Sequence, residues 1–251
     1  MNLVLDWGNT SLKAGWFDGP TLLETLTFSH PEAGLTAIRE RPRPRYVISS
    51  STGRPAAELQ GLFGFLAPER WLVMSPQLPV PIRNGYETPH TLGADRLAGA
   101  VGASALFPAE PCLILDLGTC LTADLLDGDG VFQGGLIAPG LRMRLEAMHA
   151  FTARLPLLTW AEPSADFPAL TAKTTEQAML SGALNGLLLE LSGLMDTYRA
   201  RYPNLRVLLC GGDAPTFESR LKPPIFVVSE LVLIGLNRIL LANVKNLQAD
   251  S

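Results

Sequence analysis

The sequence predicts an α/β protein of two domains of like design, and two stretches carry that expectation. The first is Leu3-Val4-Leu5-Asp6-Trp7-Gly8-Asn9-Thr10-Ser11-Leu12-Lys13; the second is Leu113-Ile114-Leu115-Asp116-Leu117-Gly118-Thr119-Cys120-Leu121-Thr122-Ala123-Asp124. Each opens with an apolar run too short for a helix and of the right length for a buried strand. Each then sets an Asp at the strand end, a Gly two residues on, a Thr just beyond it and a second apolar or alternating segment. One such turn is ordinary punctuation after a strand. Two in matching strand-turn-strand contexts, about one domain length apart, indicate duplicated domains facing a shared cleft.

The turns also suggest a chemistry. Glycine and small hydroxyl residues let phosphate oxygens approach the backbone and leave N–H groups to meet them, while a carboxylate at a strand end can hold a divalent cation or its waters. Both halves could therefore grip a nucleotide.

After the first hairpin, Trp16-Phe17-Asp18-Gly19-Pro20 makes a turn, and Leu22 to Phe28 adds a third strand to an antiparallel meander. Residues 30–40 read as a helix opened by Pro31 and Glu32. Tyr46 to Ser51 and Trp71 to Met74 are parallel strands, and the proline-dense stretch from Pro76 to Pro89 is a long loop. From Thr91 the pattern turns helical, with Gly93, Ala94, Ala98, Gly99, Ala100, Gly102 and Ala103 giving a face of small residues against which another element can pack closely. The boundary falls at Pro108 to Pro111, dividing domains 1–109 and 110–251.

In the second half, Asp127-Gly128-Asp129-Gly130 is a hairpin turn signal, and Phe132 to Gly140 is a strand entering a glycine-containing loop. Leu141 to Ala150 is helical. Thr174 and Thr175 cap a long helix reaching about Arg201, in which Ala178, Ser181, Gly182 and Gly186 form a further packing stripe. Arg206 to Cys210 is a strand entering Gly211-Gly212-Asp213-Ala214, and Leu231 to Val244 is the closing helix.

Composition narrows the class. Hydrophobic residues make up 47% and charged residues 18% of 251 residues, which excludes disorder, and a net charge of -4 argues against a nucleic-acid-binding surface. The one basic cluster, Arg39 to Arg45, is broken by prolines and reads as an exposed connector. Cys112, Cys120 and Cys210 lack metal-ligand spacing and lie in or beside apolar runs, so buried thiols in a reducing compartment are expected. The opening apolar run is cut by Asp6, unlike a signal peptide, and the closing one is broken by Asn237 and Arg238 and too short to span a bilayer. A cytoplasmic protein without a membrane partner is expected.

The P-loop and dinucleotide-fingerprint glycine patterns are both missing, as are zinc-protease and nucleophile-elbow motifs. His30, His90 and His149 have no nucleophile at a telling spacing. Three strand-end turns remain: Asp6 to Lys13, Asp116 to Thr119, and Gly211 to Ala214.

Taken with further motifs, these turns resemble the type III pantothenate kinases over nearly the whole chain. The resemblance runs through Asp6-x-Gly8-Asn9-Thr10-x-x-Lys13, Pro81-Ile82-x-Asn84-x-Tyr86-x-Thr88-Pro89-x-Thr91-Leu92-Gly93-Ala94-Asp95-Arg96, and Asp116-x-Gly118-Thr119. It continues in Gly134-Gly135-x-Ile137-x-Pro139-Gly140, Thr152-Ala153-x-Leu155-Pro156, Thr175-x-x-Ala178-x-x-Ser181-Gly182 and Gly211-Gly212-Asp213-Ala214. It implies the fold of the actin, heat-shock chaperone and sugar-kinase superfamily: two ribonuclease-H-like, actin-like ATPase domains with an interdomain ATP cleft. It further implies transfer of the ATP γ-phosphate to the primary hydroxyl of pantothenate, the first step of coenzyme A synthesis, with Mg2+, a monovalent cation (K+ or NH4+) and a homodimer.

Carried over by position, Asp6, Trp7, Gly8, Asn9, Thr10, Ser11, Leu12 and Lys13 contact the ATP phosphates, with Asp6 reaching Mg2+ through phosphate or water. Thr119 holds a phosphate oxygen and Asp116 the monovalent cation. Tyr86, Gly93, Ala94, Asp95, Arg96 and Thr175 line the pantothenate pocket, with Asp95 as the proton acceptor. Trp7 departs from the family's smaller aliphatic residue, and Cys120 stands where a small residue such as Ala is usual.

The residues themselves bear on these roles. A carboxylate in the first turn of a helix can serve as a cap alone, but Arg96 beside it runs against the helix dipole, so the pair suits a base and an anion-binding cation better. Lys13 is equally a solvated strand-end charge, Tyr86 equally a loop aromatic packing on the core, and Ser181, Gly182 and Gly186 read as helix-packing residues. The alternatives are a non-catalytic nucleotide-binding regulatory or accessory protein of the same fold, and a kinase acting on a different hydroxy-acid amide.

Overall fold

Along the chain the elements are β1 (Asn2–Trp7), β2 (Leu12–Asp18), β3 (Thr21–Phe28), α1 (Leu35–Arg39), β4 (Tyr46–Ser51), α2 (Ala56–Leu62), β5 (Arg70–Val73), β6 (Arg83–Asn84) and α3 (Ala94–Leu106). They continue as β7 (Cys112–Leu117), β8 (Cys120–Leu126), β9 (Val131–Pro139), α4 (Leu141–Ala150), α5 (Thr175–Arg201), β10 (Arg206–Cys210), α6 (Ala214–Phe217), β11 (Phe226–Val227) and α7 (Leu231–Ala249). This computed structural model describes residues 1–53, 55–160 and 166–249. Two packing units emerge: Met1–Pro108 with Gly130–Gln133 and the chain from Glu230 onward, and Ala109–Asp129 with Gly134–Ser229. The packing thus does not follow a single cut near residue 109, because α7 returns to the first unit.

In the first unit the sheet order is β3-β2-β1-β4-β5, with β2 antiparallel and β4 parallel to β1. β1 is buried on both faces, which explains its unbroken apolar run. Leu3, Leu5 and Trp7 face Ile38 of α1 and Leu59 and Phe63 at α2. Val4 faces the other way, with Ile48 of β4, toward Ala98 and Val101 of α3 and Leu233, Leu236 and Ile239 of α7.

The small-residue face of α3 meets α7. A Cβ on Gly235 would lie 1.7 Å from the Ala98 carbonyl oxygen, and one on Gly102 would lie 2.4 Å from the Leu231 carbonyl oxygen. The polar break that interrupts α7 is used inside the same unit: Asn237 accepts from Asn2 Nδ2 (3.0 Å) and donates to the Gly19 carbonyl (2.9 Å).

The second unit repeats the plan as β11-β10-β7-β8-β9, again with an antiparallel hairpin and a parallel crossover to β10. Its core joins Leu113, Leu115 and Leu117 of β7 to Leu141 and Leu145 of α4 and to Leu184, Leu187 and Leu191 of α5. α5 is long and apolar enough to cross a bilayer by length and composition, yet its apolar stripe is this core, with Leu184, Leu187, Leu191 and Met195 buried.

Several expectations are adjusted. The expected helix at 30–40 is a 3-10 turn (Pro31–Gly34) followed by the single turn of α1, opened by His30, whose Nδ1 accepts from Ala33 N. The expected loop from Pro76 to Pro89 contains β6, whose Arg83 and Asn84 pair with Val131 and Phe132. α2, α6 and β11 carry little periodicity and are found only in the structure. α7 extends to Ala249. Cys112 and Cys210 are buried, but Cys120, at the head of β8, is half-exposed. Burial pushes the Cys112 thiol up to about 12.

Gly235→Ala is expected to destabilise the protein. Replacing a helical glycine ordinarily gains about 0.5–1 kcal/mol, but here the added carbon meets a backbone carbonyl that no rotamer change relieves, and overpacking costs about 1–3 kcal/mol. A lower thermal midpoint checks this.

Candidate active site

Both hairpins place their aspartate identically. Asp6 is in register with Lys13 of β2 on one side and Ser50 of β4 on the other. Asp116 is in register with Thr122 of β8 and Cys210 of β10. Each therefore sits at the end of the central strand of its sheet, where the backbone turns away and a ligand can approach. Because side chains alternate along a strand, Trp7 and Leu117 enter the core while the aspartates do not.

The turns differ from expectation in one respect. Gly8 N–H donates to the Ser11 carbonyl (3.0 Å) and Gly118 N–H to the Cys120 carbonyl (3.1 Å). Both glycine amides thus close their own turns, so the glycines contribute compactness. Asn9, Thr10 and Thr119 are exposed, Ser11 and Lys13 half-buried. Trp7 and Leu12 are buried, so these two, like Gly8, offer a ligand only backbone; the Trp7 carbonyl already accepts from Thr52 N (3.0 Å).

In the second unit the glycine-rich turn after β10 packs against the hairpin. Gly211 has φ +88°, and a Cβ there would stand 2.5 Å from Asp116 Oδ1 and 2.4 Å from the Leu117 carbonyl carbon. Asp213 N–H donates to the Leu117 carbonyl (3.0 Å). The Gly140 backbone closes on the carbonyl oxygens of Gly118 and Thr119, which an added Cβ would approach to 2.5 and 2.6 Å. The Asp116 carboxylate and these carbonyls are hard oxygen donors, the kind a monovalent cation takes.

The residues expected to meet pantothenate gather, except one, at the start of α3. Gly93 is its N-cap without a side-chain bond, and Asp95 Oδ1 accepts from Arg96 N–H (2.9 Å). Arg96 is only 8% exposed and its guanidinium lies over the Tyr86 ring at 5.5 Å. Tyr86 in turn contacts Phe132 at 6.1 Å, and its N–H donates to Asn84 Oδ1 (3.0 Å). Phe132 and Asn84 were missed as supports, since their pairing depends on the short β6. Thr175 belongs to the second unit, exposed in the first turn of α5 beside the capping Thr174, whose Oγ1 accepts from Gln177 N–H (3.3 Å).

Other motif residues are structural. Thr152 Oγ1 donates to the Met148 carbonyl (2.7 Å) and His149 Nδ1 contacts the Leu155 carbonyl (2.7 Å), fastening the end of α4. Ser181 accepts from Asn185, which also donates to the Pro168 carbonyl. Among the described residues no three His, Cys, Asp or Glu side chains cluster as a metal cage. A Mg2+ that keeps most of its waters and binds through phosphates and one carboxylate fits this donor set.

Burial raises the Asp213 carboxyl above its ordinary value. The folded protein therefore holds that proton more tightly than the unfolded chain, and stability falls as pH rises from about 4 through the raised value. Asp213→Asn removes the cost of burying the charge. Its stability gain over the parent is expected at neutral pH and should vanish below about pH 4, as read from denaturant midpoints across pH.

Comparison with known proteins gives the family and the fold. The model of the type III pantothenate kinase family matches residues 2–197. The type III pantothenate kinase of Cytophaga hutchinsonii is 45% identical over 244 residues, covering 97% of this chain and 100% of the relative. Among solved structures, a Campylobacter jejuni protein provisionally described as a Baf family transcriptional activator superposes with TM-score 0.62 at 16% identity, covering 97% of this chain and 99% of that one. The ROK hexokinase of Thermus thermophilus superposes with TM-score 0.50 at 18% identity, covering 97% and 99%. At such identities these two show the fold alone, that of the actin-like ATPases and sugar kinases. Sequence and architecture together make this chain a member of the type III pantothenate kinase family.

Proposed function

We propose that the protein transfers the γ-phosphate of ATP to the primary hydroxyl of pantothenate, giving 4'-phosphopantothenate and ADP, the first step of coenzyme A synthesis. The observation that carries this reading is the grouping of Tyr86, Gly93, Ala94, Asp95 and Arg96 at the N-terminus of α3, in the same unit as the Asp6 hairpin. The pair sets a proton acceptor beside a cation, which suits a substrate carrying both a hydroxyl and a carboxylate. A nucleotide-binding accessory protein has no use for that pair.

In the reaction Asp95 takes the proton as the pantothenate hydroxyl oxygen bonds to the γ-phosphorus, and the bond from that phosphorus to the β,γ-bridging oxygen breaks to release ADP. Arg96 meets the substrate carboxylate or a phosphoryl oxygen, Tyr86 lines the pocket beside it, and Thr175 is proposed as a further pantothenate contact. Residues Asp6 to Lys13 and Thr119 hold the ATP phosphates. Asp6 would hold Mg2+ through phosphate or water, and the ion would supply charge neutralisation; Asp116 would hold K+ or NH4+. Most of the catalysis comes from orientation, about 7–11 kcal/mol, with the base adding about 10²–10⁴-fold.

The protein is proposed to act in the cytoplasm as a homodimer, its duplicated halves being residues 1–109 and 110–251, with α7 lent back to the first. The second unit presents Phe151 (87% exposed), Leu170 (74%) and Leu189 (65%). Along α5, Gly182, Gly186 and Gly193 have open space where a Cβ would stand. That is a surface suited to close approach by a second copy.

Incubation with Mg2+-ATP, K+ and pantothenate should yield phosphopantothenate, and no product would refute the reading. Asp95→Asn is expected to lower kcat about 10²–10⁴-fold while ATP binding persists; unchanged turnover removes Asp95 from its role. Asp116→Ala should abolish activation by K+, and equal parent activity in sodium and potassium would exclude a cation site there. Sedimentation should give twice the 27.0 kDa chain mass.

A further inference from the structure

Two adjacent serines end β4, and among the described residues neither the Ser50 nor the Ser51 hydroxyl has a hydrogen-bond partner although both oxygens are buried. Alternation along the strand sends them to opposite faces. Ser51 is in register with Trp7, whose indole packs in the cluster of α1 and α2. Ser50, fully buried, is in register with Asp6, on the face where Val4 and Ile48 meet α3. Lys13 flanks Asp6 on its other side. A cation, a carboxylate and a hydroxyl thus form one row across three neighbouring strands, where the apolar surface ends.

Packing does not call for a serine there, since alanine would fill the same place without removing a polar atom from water. Its neighbour shows the ordinary use of such a group: Ser49 Oγ accepts from Trp71 Nε1 (2.9 Å). In the second unit the position beside the aspartate is Cys210, and a thiol is a weak donor. On the parallel side the hydroxyl is therefore particular to the first carboxylate, whereas the hydroxyl in register with Asp116 is that of Thr122, on its antiparallel neighbour.

The geometry points to Ser50 as a positioning residue of the phosphate site. When Mg2+-ATP binds, its hydroxyl donates to the Asp6 carboxylate and fixes that side chain toward the water shell of the metal. This inference rests on the kinase reading above.

Ser50→Ala and Ser51→Ala are compared with the parent in three measurements: calorimetric titration with Mg2+-ATP in the absence of pantothenate, the same titration with ATP and a chelator, and melting without ligand. Loss of a hydrogen bond to a charged group predicts binding of Mg2+-ATP weakened roughly tenfold or more in Ser50→Ala. Metal-free ATP should bind as in the parent, and melting should be no lower. Ser51→Ala should match the parent throughout. Parental affinity in Ser50→Ala, or an equal loss for metal-free ATP, overturns the assignment. Should Ser50→Ala melt below the parent, Ser50→Cys decides: affinity between parent and Ala supports the role, and parental affinity refutes it. A parent that binds Mg2+-ATP yet phosphorylates no pantothenate would sink the kinase reading and leave the Ser50 result to stand by its own titration.

Discussion

The register of the central strand within each sheet is the constraint on which the rest depends. A parallel neighbour on one side and an antiparallel neighbour on the other fix both what flanks the strand-end aspartate and which face it occupies. A slip of one residue would send Asp6 into the cluster of α1 and α2 and Trp7 toward α3, inverting every buried position at once. The alternating cores above and below β1 prevent that slip. The face the carboxylate occupies is thus set by hydrophobic burial on either side of its strand.

The same economy positions the start of α3. That helix has no side-chain cap at Gly93, so its end is not fixed locally. It is fixed from the side, by the approach of α7 at Gly102 and Gly235, and α7 is in turn tied to β1 and the β2–β3 turn through Asn237. Asp95 and Arg96 are consequently carried on a rigid element packed on the same strand that ends in Asp6. Orientation of this kind is what phosphoryl transfer mainly asks of a protein.

Much of this was legible in the sequence because the informative signals were local. The hairpins, β4, α4, α5 and β10 are each specified by a run of apolar residues with its own punctuation, and the small residues of α3 announced a close partner without naming it. What could not be read has a common physical cause. β6 and β11 are two-residue strands that exist only because a distant strand offers its edge, and the support of Tyr86 by Asn84 and Phe132 follows from β6. The return of α7 to the first unit is a tertiary preference, invisible to any window along the chain. Ser50 is hidden for a similar reason: in sequence it is one of three consecutive serines, and only the ladder distinguishes the one beside Asp6.

Trp7 shows how far a departure at a motif residue can be from a departure in chemistry. Its bulk, next to the phosphate-turn aspartate, reads as a threat to that turn. In the structure it occupies the face opposite Asp6, 6% exposed, among Leu3, Leu5, Leu12, Ile38, Leu59 and Phe63. A large side chain there adds apolar area to the core, worth about 25 cal/mol per Å² removed from water, and lies away from the turn. Its carbonyl bonds to Thr52 N–H, which ties the end of β1 to the chain leaving β4, the strand that carries Ser50. Trp7 therefore bears on how firmly the two strand ends are held together, while the turn it precedes keeps Asn9 and Thr10 exposed and Ser11 and Lys13 half-buried.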